Sequence, residues 1–279
     1  GNERRQPSKL MDEQDKPTLR VVDRPEAKGE DGVRDESKGP EGLRRRGIYL
    51  LPNVITTGAL FAGFYAIVTA MSGQIMPACV AVFIAMILDA ADGRVARITG
   101  TESEFGAQYD SLSDLVAFGV APALIAFSWG LSVLGQLGWV VGFVYMACAA
   151  LRLARFNTEG ELSTFTGLAS PTAAGLVIFS VWICLERGIT EPAWPMAAGL
   201  SFVTVMAALL MVSNYRYFSP KAINIRERIP FVSLVLIAMA FAVLMIDPPS
   251  VLFGLSLAYA ISGPVKQTWQ KMRHRSEAP

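Results

Sequence analysis

Residues 89–114 read DAADGRVARITGTESEFGAQYDSLSD. The stretch carries four carboxylates, Asp89, Asp92, Asp110 and Asp114, and lies beside two of the most apolar segments of the chain. Charge held near hydrocarbon is costly, so ionisable residues there mark a functional site. Asp89 and Asp92 are spaced i, i+3, and Asp110 and Asp114 i, i+4, so each pair shares one helix face. Two such helices facing each other would bring four carboxylates to one point. Unaided, these groups would repel and take up protons; with one or two divalent cations they form a hard-oxygen site suited to Mg²⁺ or Mn²⁺. Solvated helix-end acids would account for any one of them, but not for two helical spacings at once.

The residues between the acids suit a phosphate ligand. On a helix wheel Gly93 and Ala96 share the face of Asp89 and Asp92, leaving room for a bulky group beside the backbone. Arg97 follows one turn after Gly93 and can neutralise phosphate oxygens with two parallel hydrogen bonds. Gly106 opens the second helix four residues before Asp110. Cations, small residues, an arginine and a spare carboxylate are the parts needed for phosphoryl transfer.

The pattern Asp-x-x-Asp-Gly-x-x-Ala-Arg followed by Gly-x-x-x-Asp-x-x-x-Asp is filled at every position by Asp89, Asp92, Gly93, Ala96, Arg97, Gly106, Asp110 and Asp114. It resembles the signature of the CDP-alcohol phosphotransferases, and eight fixed residues at fixed spacing are far more specific than a lone DxxD. The continuation FGAQYDSLSDLVAFGVAPA resembles the phosphatidylserine synthase branch of that family. In layout the resemblance runs over about residues 47–265, and it is specific mainly in 50–57, 89–122 and 151–175. Ala169 stands where that branch leads one to expect proline.

The resemblance implies a metal-dependent enzyme that moves a phosphatidyl group from CDP-diacylglycerol to the hydroxyl of L-serine and releases CMP. It implies a pair of cations, Mg²⁺ or Mn²⁺, held mainly by Asp89, Asp92 and Asp110, with Asp114 as ligand, as general base, or as both. Asn53 and Thr56, in the PNVITT run at 52–57, would contact the cytidine nucleotide; the same residues also make an ordinary helix cap and back-bonded threonines. Ser103 would donate to the nucleotide phosphates or serve as a plain loop residue. The run LRLARFN ends near Asn157. There Arg152 or Arg155, with Asn157, would hold the serine carboxylate, although paired arginines also mark the inner flank of a span. The family also suggests a homodimer. The nearest alternative keeps this chemistry with glycerol phosphate, inositol phosphate or choline as acceptor. A divalent-cation transporter is a distant alternative, since an arginine suits a cation pathway poorly and the acids cluster at one end rather than at the bilayer midplane.

The rest of the chain supplies the setting. It has 279 residues, 52% of them hydrophobic, and a formal charge of +1, with no basic stripe that would engage nucleic acid. Residues 1–46 hold 12 Lys/Arg and 11 Asp/Glu, a composition expected of a disordered tail without the apolar core of a signal peptide. Beyond it, apolar runs near 50–71, 75–96, 107–130, 136–156, 170–187, 194–213, 230–246 and 249–265 predict an all-α, polytopic integral membrane bundle of about eight helices. Six of these would form the catalytic core, with two added. The transmembrane domain is expected over 47–265 and a basic tail over 266–279. The sequence DPPS at 247–250 would join two spans or a re-entrant pair. With both termini inside, Arg187 alone of the 25 Lys/Arg falls outside, which puts the carboxylates at the cytoplasmic face of a bacterial or archaeal-type membrane. The basic linker 221–229 would lie on anionic lipid. Cys79, Cys148 and Cys184 sit in apolar runs and read as small buried hydrophobes.

Overall fold

Every regular element among the described residues is helical, as backbone surrounded by hydrocarbon requires. The computed structural model describes residues 40–159, 166–215, 217 and 244–276, together with 235, 239 and 242. In order these form α1 (Pro40–Met71), α2 (Ile75–Thr99), α3 (Glu104–Asp114), a π-helical turn (Leu115–Val120), α4 (Ala121–Trp129), a 3₁₀ turn (Leu131–Leu134), α5 (Gln136–Glu159), α6 (Ser170–Glu186), α7 (Trp194–Val212) and α8 (Pro248–Ser276). Five stretches are long and apolar enough to cross a membrane: Leu51–Met71, Ile75–Thr99, Glu104–Trp129, Gln136–Thr158 and Trp194–Val212. The chain is therefore a polytopic integral membrane protein.

The expected spans near 50–71, 75–96, 107–130, 136–156 and 194–213 coincide with these five, whereas those expected at 170–187 and 249–265 fall on α6 and α8, which are helical but not among the five. α1 starts at Pro40, ahead of the expected boundary at 47, because Pro40 and Glu41 suit a first helical turn and nothing in GLRRRGIY breaks it. α8 likewise runs on to Ser276, into the stretch expected to be a polar tail. Asp247 accepts the Ser250 N–H at 3.2 Å, so within DPPS the aspartate caps α8 and the prolines fill its first turn. The linker at 221–229 and residues 1–39 lie outside the described residues, as does most of the span expected over 230–246.

Tight turns make neighbouring helices antiparallel. Between α1 and α2 the Gln74 N–H returns to Thr69 O at 2.9 Å, while the segment leading into α6 is held beside the end of α7 by the Gly167 N–H on Tyr215 O at 2.9 Å. Ala169, where proline was expected, has φ −61°, the value a proline ring would fix, with ψ 137°, so the alanine keeps a backbone that proline also adopts. α6 has only 17 residues, but most of its length is buried among α2, α4, α7 and α8.

The core is built of small side chains. Ala62, Ala66 and Ala70 of α1 meet Ala78, Ala81 and Ala85 of α2, while Phe61, Phe64 and Ile84 point outward. Without a hydrophobic drive between helices in lipid, such close approach supplies the packing attraction. One close approach lies next to the π turn: a Cβ on Gly63 would lie 2.8 Å from the Cα of Ala117. Gly63→Val should therefore push α1 off the π turn and cost about 1–3 kcal/mol. The check is a lower melting temperature in detergent; an unchanged melt would mean that this contact is not tight.

Candidate active site

The carboxylates are brought together by the ends of α2 and α3. Gly100, at φ 63°, closes α2 with its N–H on Ala96 O, and the chain reverses within three further residues. Ser103 then caps α3, its hydroxyl accepting the Gly106 N–H at 3.0 Å. The two helices return past each other with their acidic faces opposed. Oxygens of Asp89, Asp92 and Asp110 lie within 4.8 Å of one another. Asp114 adjoins this group through a carboxyl contact with Asp89. An all-oxygen donor set of this kind fits Mg²⁺ or Mn²⁺.

α1 locks one member of the cluster. The Thr56 hydroxyl donates to Asp92 Oδ2 at 2.7 Å, and Asp92 is buried. Ser113, beside Asp114 in sequence, donates to the Thr56 carbonyl at 3.3 Å, tying α3 to the same point of α1. Thr57 donates to Asn53 O at 2.7 Å, so its 2.9 Å contact with Tyr109 has the tyrosine as donor. Three helices are thus stitched together beside the acids.

Next to the cluster opens a pocket of about 460 Å³. Asn53, Thr56, Gly93, Ala96, Arg97, Ser103 and Gly106 all line it, with Asp92 and Asp110 at its acidic side. A Cβ on Gly93 would meet nothing within 4 Å, so the glycine keeps free volume open. One on Gly106 would lie 3.0 Å from Ser103 Oγ and 3.4 Å from Asn53 Oδ1, so there the missing side chain lets polar groups converge. Arg97 is exposed and 4.0 Å from Glu102, a pair too solvated to hold it firmly.

The three residues suggested for an acceptor carboxylate part company. Arg152 turns inward: it donates to the Ser170 hydroxyl and is close enough to Asp114 and Asp89 for charge attraction. Its Nε is buried and has no partner among the described residues. Arg155 donates to Asn214 Oδ1 at 2.8 Å, and Asn157 bonds Ser111 and Gln108 of α3, so both engage other groups. Sequence reasoning missed Ser113 and Tyr109, whose only signal was helical spacing from Asp110 and Gly106, and Ser170, which lies on a helix with no residue already chosen.

Residues 49–215 match the CDP-alcohol phosphatidyltransferase family. A protein of Helicobacter pylori named CDP-diacylglycerol–serine O-phosphatidyltransferase is 38% identical over 221 residues, covering 77% of this chain and 90% of its own. This chain belongs to the CDP-alcohol phosphatidyltransferase family. Proteins with the same name from Mycobacterium tuberculosis and Methanocaldococcus jannaschii are 33% and 31% identical, over 79% and 72% of this chain and 79% and 89% of theirs. Every candidate residue named above lies inside the stretch that matches the CDP-alcohol phosphatidyltransferase family.

The Thr56–Asp92 bond is open to a direct test. Thr56→Val keeps the shape and removes the donor, and should weaken Mn²⁺ binding about 10-fold, as loss of a group that orients a ligand does. Thr56→Ser should restore it. An EPR titration with equal affinities in all three proteins would rule the bond out as an orienting contact.

Proposed function

We propose that this protein transfers the phosphatidyl group of CDP-diacylglycerol to the hydroxyl of L-serine, giving phosphatidylserine and CMP. The observation that carries the proposal is one pocket with three carboxylates within 4.8 Å at its edge, lined by the polar and small residues of an unbroken family motif. The names of the relatives from three distant organisms support serine as acceptor.

In this reading Asn53, Thr56, Ser103 and Arg97 hold the nucleotide and its diphosphate, while Gly93, Ala96 and Gly106 leave the space it occupies. Mg²⁺ or Mn²⁺ bound by Asp89, Asp92, Asp110 and Asp114 would neutralise the diphosphate and make the lipid-side phosphorus electrophilic. The serine Oγ attacks that phosphorus and the bond to the bridging oxygen breaks, leaving CMP with the electron pair. Asp114 receives the proton of the serine hydroxyl. Arg152, whose buried Nε has no partner among the described residues, offers a donor to the serine carboxylate from beside Asp114. Glycerol phosphate or inositol phosphate would bring a phosphate to that same place, where Arg152 is the one inward-facing arginine among the described residues, a sparse complement.

We place the active site and both termini on the cytoplasmic side, because the basic residues flanking the spans lie almost wholly at that end. Serine and CMP would then exchange with the cytoplasm while the lipid stays in the bilayer.

CMP release by purified protein, supplied with CDP-diacylglycerol, Mn²⁺ and one acceptor at a time, tests the reading. Release should require serine and should fall about 10²–10⁴-fold in Asp114→Asn. Release with a phosphorylated polyol instead would sink the serine assignment; no release with any acceptor would sink the transferase reading. Arg152→Lys keeps the charge but loses the planar fork, and should raise the KM for serine about 10-fold with the KM for CDP-diacylglycerol unchanged. An unchanged serine KM would remove Arg152 from the acceptor site.

A further inference from the structure

Between Asp114 and α4 the helix widens. Leu115–Val120 is a π turn, and the Ala121 N–H donates to Val116 O, five residues back. The cause lies in the sequence: Pro122 has no N–H, and its ring crowds the carbonyl four residues earlier, that of Phe118. Widening relieves the crowding but leaves the Phe118 carbonyl without its α-helical donor. A buried carbonyl with no donor is costly.

Tyr145 of α5 supplies that donor. Its side chain is fully buried and its hydroxyl donates to Phe118 O at 2.9 Å. The turn is gripped on both sides of this bond, by Gly63 against Ala117 and by Ala149, whose Cβ would lie 3.3 Å from a Cβ on Gly119. Tyr145, Ala149 and Arg152 share one face of α5, being four and seven residues apart. That face therefore holds the π turn with Tyr145 and reaches the Asp114 charge with Arg152.

The turn decides where Asp114 points. One residue added to a helical turn rotates everything before it by about 100° relative to everything after it. With the π turn, Ala117, Phe118, Ala121 and Ile125 are buried in the core while Asp110 and Asp114 face α2. Closing the turn to α geometry would rotate the two sets by about 100° relative to each other. We propose that Tyr145 is a positioning residue: by holding the Phe118 carbonyl it fixes the π turn, and with it the direction in which Asp114 meets Asp89. The activity readout of this proposal rests on the phosphatidyl-transfer reading; the metal and stability readouts do not.

Tyr145→Phe removes only the hydroxyl, and Pro122→Ala supplies the missing N–H so that the turn can close to α geometry. For Tyr145→Phe, kcat for serine-dependent CMP release should fall about 10- to 100-fold, the scale of a reacting group displaced by about 1 Å. The KM for CDP-diacylglycerol should stay within about twofold, and Mn²⁺ affinity by EPR should fall about 10-fold. Pro122→Ala should melt at or above the wild-type temperature in detergent yet lose kcat and Mn²⁺ affinity to the same extent. That combination separates positioning from mere folding. Wild-type kcat and Mn²⁺ binding in either variant would overturn the proposal. So would full recovery of both in the Tyr145→Phe, Pro122→Ala double variant, since Tyr145 would then serve only to satisfy a carbonyl. A wild-type protein that releases no CMP with serine would count against the proposed function alone, because the Mn²⁺ titrations still compare the variants.

Discussion

Four carboxylates held at the end of a helix bundle repel one another, and the cost rises as water is excluded. Much of the surrounding structure can be read as the answer to that repulsion. Thr56 donates to Asp92 from α1, and Arg152 brings a positive charge from α5 toward Asp89 and Asp114. Neither contact is enough to neutralise the group, which is what leaves it competent to take divalent cations. The alanine-rich seam between α1 and α2 serves the same end, since it lets the α1 backbone come close enough for Thr56 to reach Asp92.

The two sides of the site are built differently. The pocket lined by Asn53, Gly93, Arg97 and Gly106 draws on the first three helices, which are tied together by short turns and by the Thr56, Thr57 and Ser113 hydrogen bonds. The side facing Arg152 and Ser170 draws on α5 and α6, joined through residues outside those described, with Tyr259 of α8 close enough to influence the arginine. All eight residues of the Asp89–Asp114 motif fall in the half drawn from those first three, contiguous helices.

Helix-periodic features were legible in the chain alone. The i, i+3 and i, i+4 aspartates could be assigned to two facing helices because 3.6-residue periodicity fixes which side chains are neighbours, and hydropathy located the spans for the same reason. Arg152 and Arg155 could not be separated this way: three residues apart, they lie on nearly the same face, and only packing shows one turned inward and the other bonded to Asn214. The π turn was also hidden, since a proline inside an apolar run can kink, break or widen a helix, and which of these occurs depends on a donor as distant as Tyr145. The early start of α1 at Pro40 and the late end of α8 at Ser276 escaped because hydropathy reports where a helix leaves hydrocarbon, not where it stops being a helix.

Gly93 shows where folding and occupancy make opposite demands. It sits in the interior of α2, where alanine would stabilise the helix by about 1 kcal/mol, and a methyl group there would touch nothing within 4 Å. Among the described residues no packing contact calls for glycine at this position. Under the proposed function that open side of the helix is where the diphosphate of the donor lies, and α2 forgoes stability to keep it clear.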